Sequence, residues 1–160
     1  MTSFAAGAPR EIANDPSFVY WASRISANEY RIRKRPVGAN NTVELAINRP
    51  SVLALAVAPN KILWAETNQI VSAALPNGIG GADPNVFADV GGVRNLLVDD
   101  THVYWTSNEN NLGTVGRFPI AGCDGPPEIL AQVPQPWGIT DDAAAIYVVT
   151  EAGSILKIAK

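Results

Sequence analysis

The chain has 160 residues, 47% of them apolar and 17% charged, with a net charge of −3. A chain of this length forms one domain that buries a core; the apolar share excludes disorder, and the charge offers nucleic acid no basic surface. No stretch approaches the roughly 18 apolar residues of a membrane span, and the opening MTSFAAGAPREIAND has neither the basic nor the apolar region of a signal peptide. Cys123 is the single cysteine, so no intrachain disulfide forms.

In chain order, SFAAGAP (3–9) reads as a short strand resembling EILAQVP (128–134). The first unit follows: IANDPSFVYW (12–21) holds the end of one strand, an Asp turn and an aromatic strand. A third strand closes on RKRPVG (33–38), and TVELAI (42–47) is the fourth. The second unit repeats the order with SVLALAV (51–57), LAVAPNKILW (55–64), AALPNG (73–78) and NVFADV (85–90). The third has LLVDDTHVYW (96–105), GRFPIAG (116–122) and EILAQV (128–133). The fourth has ITDDAAAIYVV (139–149), which aligns when one inserted residue is admitted. It ends on GSILKIAK, matching GTVGRFPI of the third unit. Trp21, Trp64, Trp105 and Val148 anchor the units, 43, 41 and 43 residues apart.

Val, Ile, Leu and aromatic residues fill the strands, and Gly, Pro, Asn and Asp fill the joints. No sustained helical period occurs, so almost no helix is predicted. Four short antiparallel strands every 40–45 residues are the sequence signature of a β-propeller blade. The expectation is a single all-β domain over 1–160: an outer strand at 1–8, blade 1 at 9–48, blade 2 at 49–91, blade 3 at 92–134, and blade 4 at 135–160 completed by 1–8. In that arrangement the N-terminal strand clasps the C-terminal blade and hides open edges. The same strand phase suits a four-bladed monomer or a clasped homodimer of eight blades; a piece of a larger propeller is the third reading.

The unit VDDTHVYWTSN…GTVGRFPIAG resembles the repeats of YWTD-type and NHL-type propellers, and is most similar to bacterial, notably myxobacterial, tandem repeats of the form VDDTHVYWTN…GTVMKVPLAGG. The resemblance spans nearly the whole chain and implies a propeller fold and an exported, secreted or periplasmic, protein. That family usually has six or more blades, against four units here.

Repetition sorts the candidate residues. Tyr20, Tyr104, Tyr147 and the aligned Trp residues read as packing between blades rather than as ligand platforms. Asp15, Asp99, Asp100, Asp141 and Asp142 recur at one turn, where Asp bonds nearby backbone N–H groups; the second unit has Ala58 and Pro59 there. His102, the only histidine, sits in a turn and has no evident triad partners. Cys123 lies in the loop AGCDGPP, where no partner for a catalytic thiol is evident. In RIRKR (31–35), Lys34 shares a repeat position with Arg117 and Lys157, and Arg31, Arg33 and Arg35 are expected on a solvated face.

Function is sought where the units stop agreeing. Five residues before the turn stand Arg10, Leu53, Arg94 and Pro136; the next positions are Glu11, Ala54, Asn95 and Trp137. These open the inner strands and are expected to ring one mouth of the channel, the place where loops on a rigid scaffold carry function. Arg10, Glu11, Arg94, Asn95 and Trp137 are the candidate ligand-binding residues, with Trp137 stacking and the arginines hydrogen-bonding a sugar or small anion. No catalytic residue, metal site or cofactor is expected. The leading expectation is a non-catalytic scaffold binding a small molecule, glycan or protein. The alternatives are a propeller-type lyase or hydrolase, or a self-assembling structural unit.

Overall fold

The structure is a computed structural model that describes residues 7–75, 84–109, 112–122 and 125–160. Among them are fifteen β-strands and no helix. The first sheet holds β1 (Ala8–Asn14), β2 (Phe18–Ser26), β3 (Glu29–Pro36) and β4 (Val43–Arg49). The second holds β5 (Ala54–Ala58), β6 (Lys61–Ala65), β7 (Ile70–Ala74) and β8 (Asn85–Ala88). The third holds β9 (Val93–Val98), β10 (His102–Glu109), β11 (Leu112–Pro119) and β12 (Glu128–Gln132). The fourth has β13 (Pro136–Asp141), β14 (Ala145–Thr150) and β15 (Ile155–Ala159). Each sheet is an antiparallel meander in chain order. The expected outer strand falls mainly on residues 1–6, outside the described residues; Ala8 already belongs to β1, opposite Arg24.

The sheets are blades, and their two faces differ. Residues directly opposite in an antiparallel pair point to the same face. Leu55 opposes Trp64, Leu96 opposes Trp105 and Ile139 opposes Val148. These pairs form the face turned to the preceding sheet. Leu55 and Trp64 share a cluster with Tyr20, Ala22 and Ile32 of the first sheet. Leu96 and Trp105 join Leu63, Ala65 and Ile70 of the second. Ile139 and Val148 join Tyr104 and Val115 of the third. One interface is thus built three times, each with large side chains removed from water, at about 1.5–3 kcal/mol per buried apolar side chain. The aromatic residues of the repeat, Tyr20, Trp21, Trp64, Tyr104 and Trp105, are buried. The inner strand of the second sheet, ALAVA, is apolar on both faces because it is covered on both.

The inner strands pack in the order β1, β5, β9, β13. This is a four-bladed propeller-like fold. Among the described residues, no comparable packing joins β13 back to β1.

Two local features depart from simple repetition. Gly116 stands where a Cβ would come within 2.4 Å of the Trp105 ring. That ring stacks on Phe118 with centroids 4.5 Å apart, so the site admits no side chain. The arginine run is not a solvated face: Arg33 is buried, and its guanidinium donates to Glu44 on β4, which Arg31 also reaches. The neighbouring strand supplies the carboxylate that strand alternation alone could not reveal.

Candidate functional site

The inner strands have two ends, and they are built differently. At the turn end, Asp15 Oδ1 accepts the backbone N–H groups of Ser17 and Phe18, and Oδ2 accepts the Tyr20 hydroxyl at 2.7 Å. Asp99 does the same with Thr101, His102 and Tyr104. Asp142 repeats it with Ala144, Ala145 and Tyr147. Each carboxylate holds its turn and fixes a tyrosine, and Tyr20 and Tyr104 pack toward the next blade. Against burial, which raises all three, these donors hold the Asp15, Asp99 and Asp142 carboxyls below the ordinary range; at Asp99 the Lys160 ammonium, 2.9 Å away, adds to the effect. Lys160 also binds Asp141, tying the third turn to the fourth. The second blade, with Ala58 in place of Asp and Leu63 in place of Tyr, has no such clasp.

These contacts correct the alignment of the fourth unit. Asp142, not Asp141, is the turn residue, and no residue is inserted. Trp137 therefore shares the repeat position of Arg10 and Arg94, and Pro136 precedes it.

At the other end the ladders slip. Between β1 and β2 the register shifts between Pro9 and Glu11, leaving Arg10 out of the pairing. Between β9 and β10, Thr106 opposes Asn95 and Ser107 opposes Val93, leaving Arg94 out. Between β13 and β14 the shift runs from Pro136 to Ile139 and frees Trp137 and Gly138. In the second blade the pairing is regular, and the Leu53 N–H bonds to the Ala65 carbonyl. Bulges re-aim side chains and gather at functional sites. Here they leave Arg10, Arg94 and Trp137 out of the ladder at the same end of the inner strands, with Leu53 between the arginines in strand order. All four are exposed, Trp137 by 50%.

The structure brings two of the expected residues together. The Arg94 guanidinium lies 5.2 Å from the Trp137 ring centroid, a cation–π contact. The Thr106 hydroxyl donates to the Trp137 carbonyl at 2.7 Å and anchors the bulge. Asn95 is half-buried opposite Thr106. Glu11 is half-buried, and burial pushes its carboxyl up. Arg10 stands on β1, and among the described residues β1 has no packing on β13 comparable to that between neighbouring inner strands.

His102 Nδ1 lies 2.8 Å from the Thr101 hydroxyl, and its ring leans on Tyr104. Cys123 lies outside the described residues. Among the described residues no three His, Cys, Asp or Glu side chains converge as a metal site. Sequence reasoning missed one polar centre. Glu66 is buried after β6 and accepts from Arg49 at 2.7 Å, Trp64 Nε1 at 3.0 Å and Gln69 at 2.9 Å. These donors hold its carboxyl low although burial opposes them. The only sequence signal was an acid where the other units have Ser23, Ser107 and Thr150.

No family model and no curated protein matches this sequence. Solved structures do match its fold. A computationally designed protein, Ika4, superposes with a TM-score of 0.67 at 11% identity, covering 96% of this chain and 91% of that one. A chain in a nidogen/laminin complex gives 0.72 at 16% identity, covering 93% of this chain and 58% of that one. A hydrazine synthase chain of Kuenenia stuttgartiensis gives 0.61 at 11% identity, covering 93% of this chain and 53% of that one. This chain therefore spans little more than half the length of the last two. At these identities the likeness is one of fold. Among the described residues, no helix is long and apolar enough to cross a membrane.

Proposed function

We propose that this chain is a single-domain, non-catalytic propeller scaffold, akin to YWTD-type and NHL-type repeats, that binds a glycan or small anionic ligand at the bulged mouth of its inner strands. The observation that carries the reading is the repeated bulge. Three inner strands break their ladder at one repeat position, and the residues released are Arg10, Arg94 and Trp137. An exposed indole offers a sugar ring an apolar face, and the guanidiniums offer donors to hydroxyl or carboxylate oxygens. Glu11 and Asn95 line the same strand ends. At the turn end of the first, third and fourth blades the repeated Asp and Tyr side chains are engaged with one another.

A glycan and small-anion array with a Trp137→Ala control tests the reading. Binding by the wild-type chain that weakens about tenfold or more in the variant, a loss of roughly 1.4 kcal/mol, supports it. An absence of hits, or hits unchanged by the substitution, overturns it. A protein ligand is the second reading, favoured by the fold likeness to a chain in a nidogen/laminin complex.

A further inference from the structure

We infer that the outer faces of the first and fourth blades are the two halves of one interface, and that a second copy of this chain fills both to complete an eight-bladed ring. Ile32, Ile70, Val115 and Ile155 oppose Ala22, Ala65, Thr106 and Val149 in their sheets and occupy the same place on the face turned to the next blade. The first three are 0% exposed, whereas Ile155 is 74% exposed. Val149 is 41% exposed, where Ala22, Ala65 and Thr106 are fully buried. The opposite face shows the complement. Leu55 and Leu96 are buried in the two following interfaces, while Ile12, opposite Trp21 at the same place on the first blade, is 73% exposed.

Ile155, Val149 and Ile12 are thus apolar positions left open where their counterparts are covered, although on the first blade Trp21, opposite Ile12, is already buried beside Arg33. In all three interfaces inside the chain the two positions share one cluster: Ile32 with Leu55, Ile70 with Leu96, Val115 with Ile139. A surface holding Ile155 and Val149 therefore fits a surface holding Ile12, by the geometry the chain already uses three times. The single chain does not join them itself. A quarter turn per blade would bring β13 onto β1, and among the described residues it does not pack there. The described chain is then an open arc, and a ring built from it holds more than one chain. Two identical chains are the smallest number that closes it, with two equal head-to-tail junctions about a two-fold axis. Closure leaves no bare end faces, whereas an unclosed head-to-tail contact would run on into filaments. At each junction Trp137 would stand between Arg94 of its own chain and Arg10 of the partner subunit.

Light scattering on the purified chain tests this without reference to any ligand, so its failure is separable from failure of the mouth as a binding site. The wild type is expected at twice the mass of one chain. Ile155→Asp and Ile12→Asp are each expected at the mass of one chain, with an unchanged β-sheet circular dichroism spectrum, because both side chains are already exposed in the single chain. Val86→Asp, an exposed apolar position on β8 away from the end faces, is expected to keep the double mass. A wild-type mass other than two chains overturns the proposal. So does a two-chain mass that survives both end-face substitutions.

Discussion

The turn end and the mouth end of the inner strands are a few residues apart, yet they follow different rules. At the turn end three blades use the same carboxylate, the same two backbone donors and the same tyrosine. At the mouth end the backbone device repeats, a bulge, but the side chain it turns outward changes from Arg10 to Arg94 to Trp137. Groups that hold a fold are consumed by one another, whereas groups that meet a ligand must keep free donors or faces. The contrast separates groups bonded within the fold from groups left exposed, inside one strand.

Both ends of the inner strands rest on the core between the blades. Trp64→Ala is expected to cost about 3–5 kcal/mol, since it empties the interface of the first two blades and removes a donor from buried Glu66. Denaturant unfolding measures it. Next is Asp99→Ala, which loses the turn bonds and removes one partner each from the Tyr104 hydroxyl and Lys160. A loss of about 1–2 kcal/mol is expected from the cap-like bonds alone, with ligand binding at the mouth unchanged.

A smaller effect concerns pH. The Asp99 carboxyl is held below its unfolded value, so its contribution to stability is present above the unfolded pKa of roughly 3.9. It is lost as pH falls through that value toward the folded one. Asp99→Asn is expected to flatten the fall in stability between about pH 5 and 2, read from chemical denaturation midpoints across that range. The smallest stability change belongs to Arg94→Ala, within about 0.5 kcal/mol because the residue is exposed and outside the ladder. If its unfolding midpoint moves as far as that of Asp99→Ala, the mouth is structural after all.

Much of the fold was legible, and particular residues show where legibility stopped. The anchors Trp21, Trp64, Trp105 and Val148 were read in true register, and the strands around them formed as the alternation implied. The fourth turn was misread because Asp141 and Asp142 stand side by side, and only hydrogen bonding distinguishes them. A one-residue slip of this kind reverses which face a side chain occupies, and it moved Trp137 out of line with the arginines. Glu66 was missed, and Arg33 was expected in solvent rather than buried, because their partners lie elsewhere in the chain, Arg49 for one and Glu44 for the other.

Local sequence settled the blade itself. A strand's alternation, an Asp that bonds the next few N–H groups and a turn of Gly or Pro are short-range matters, and they recur wherever the residues recur. Tertiary structure alone decided which copies of a face are covered. Ile32, Ile70, Val115 and Ile155 are interchangeable in the repeat. Three lose their water and one keeps it, because burial depends on what stands across the interface, and that neighbour is supplied by a different stretch of chain.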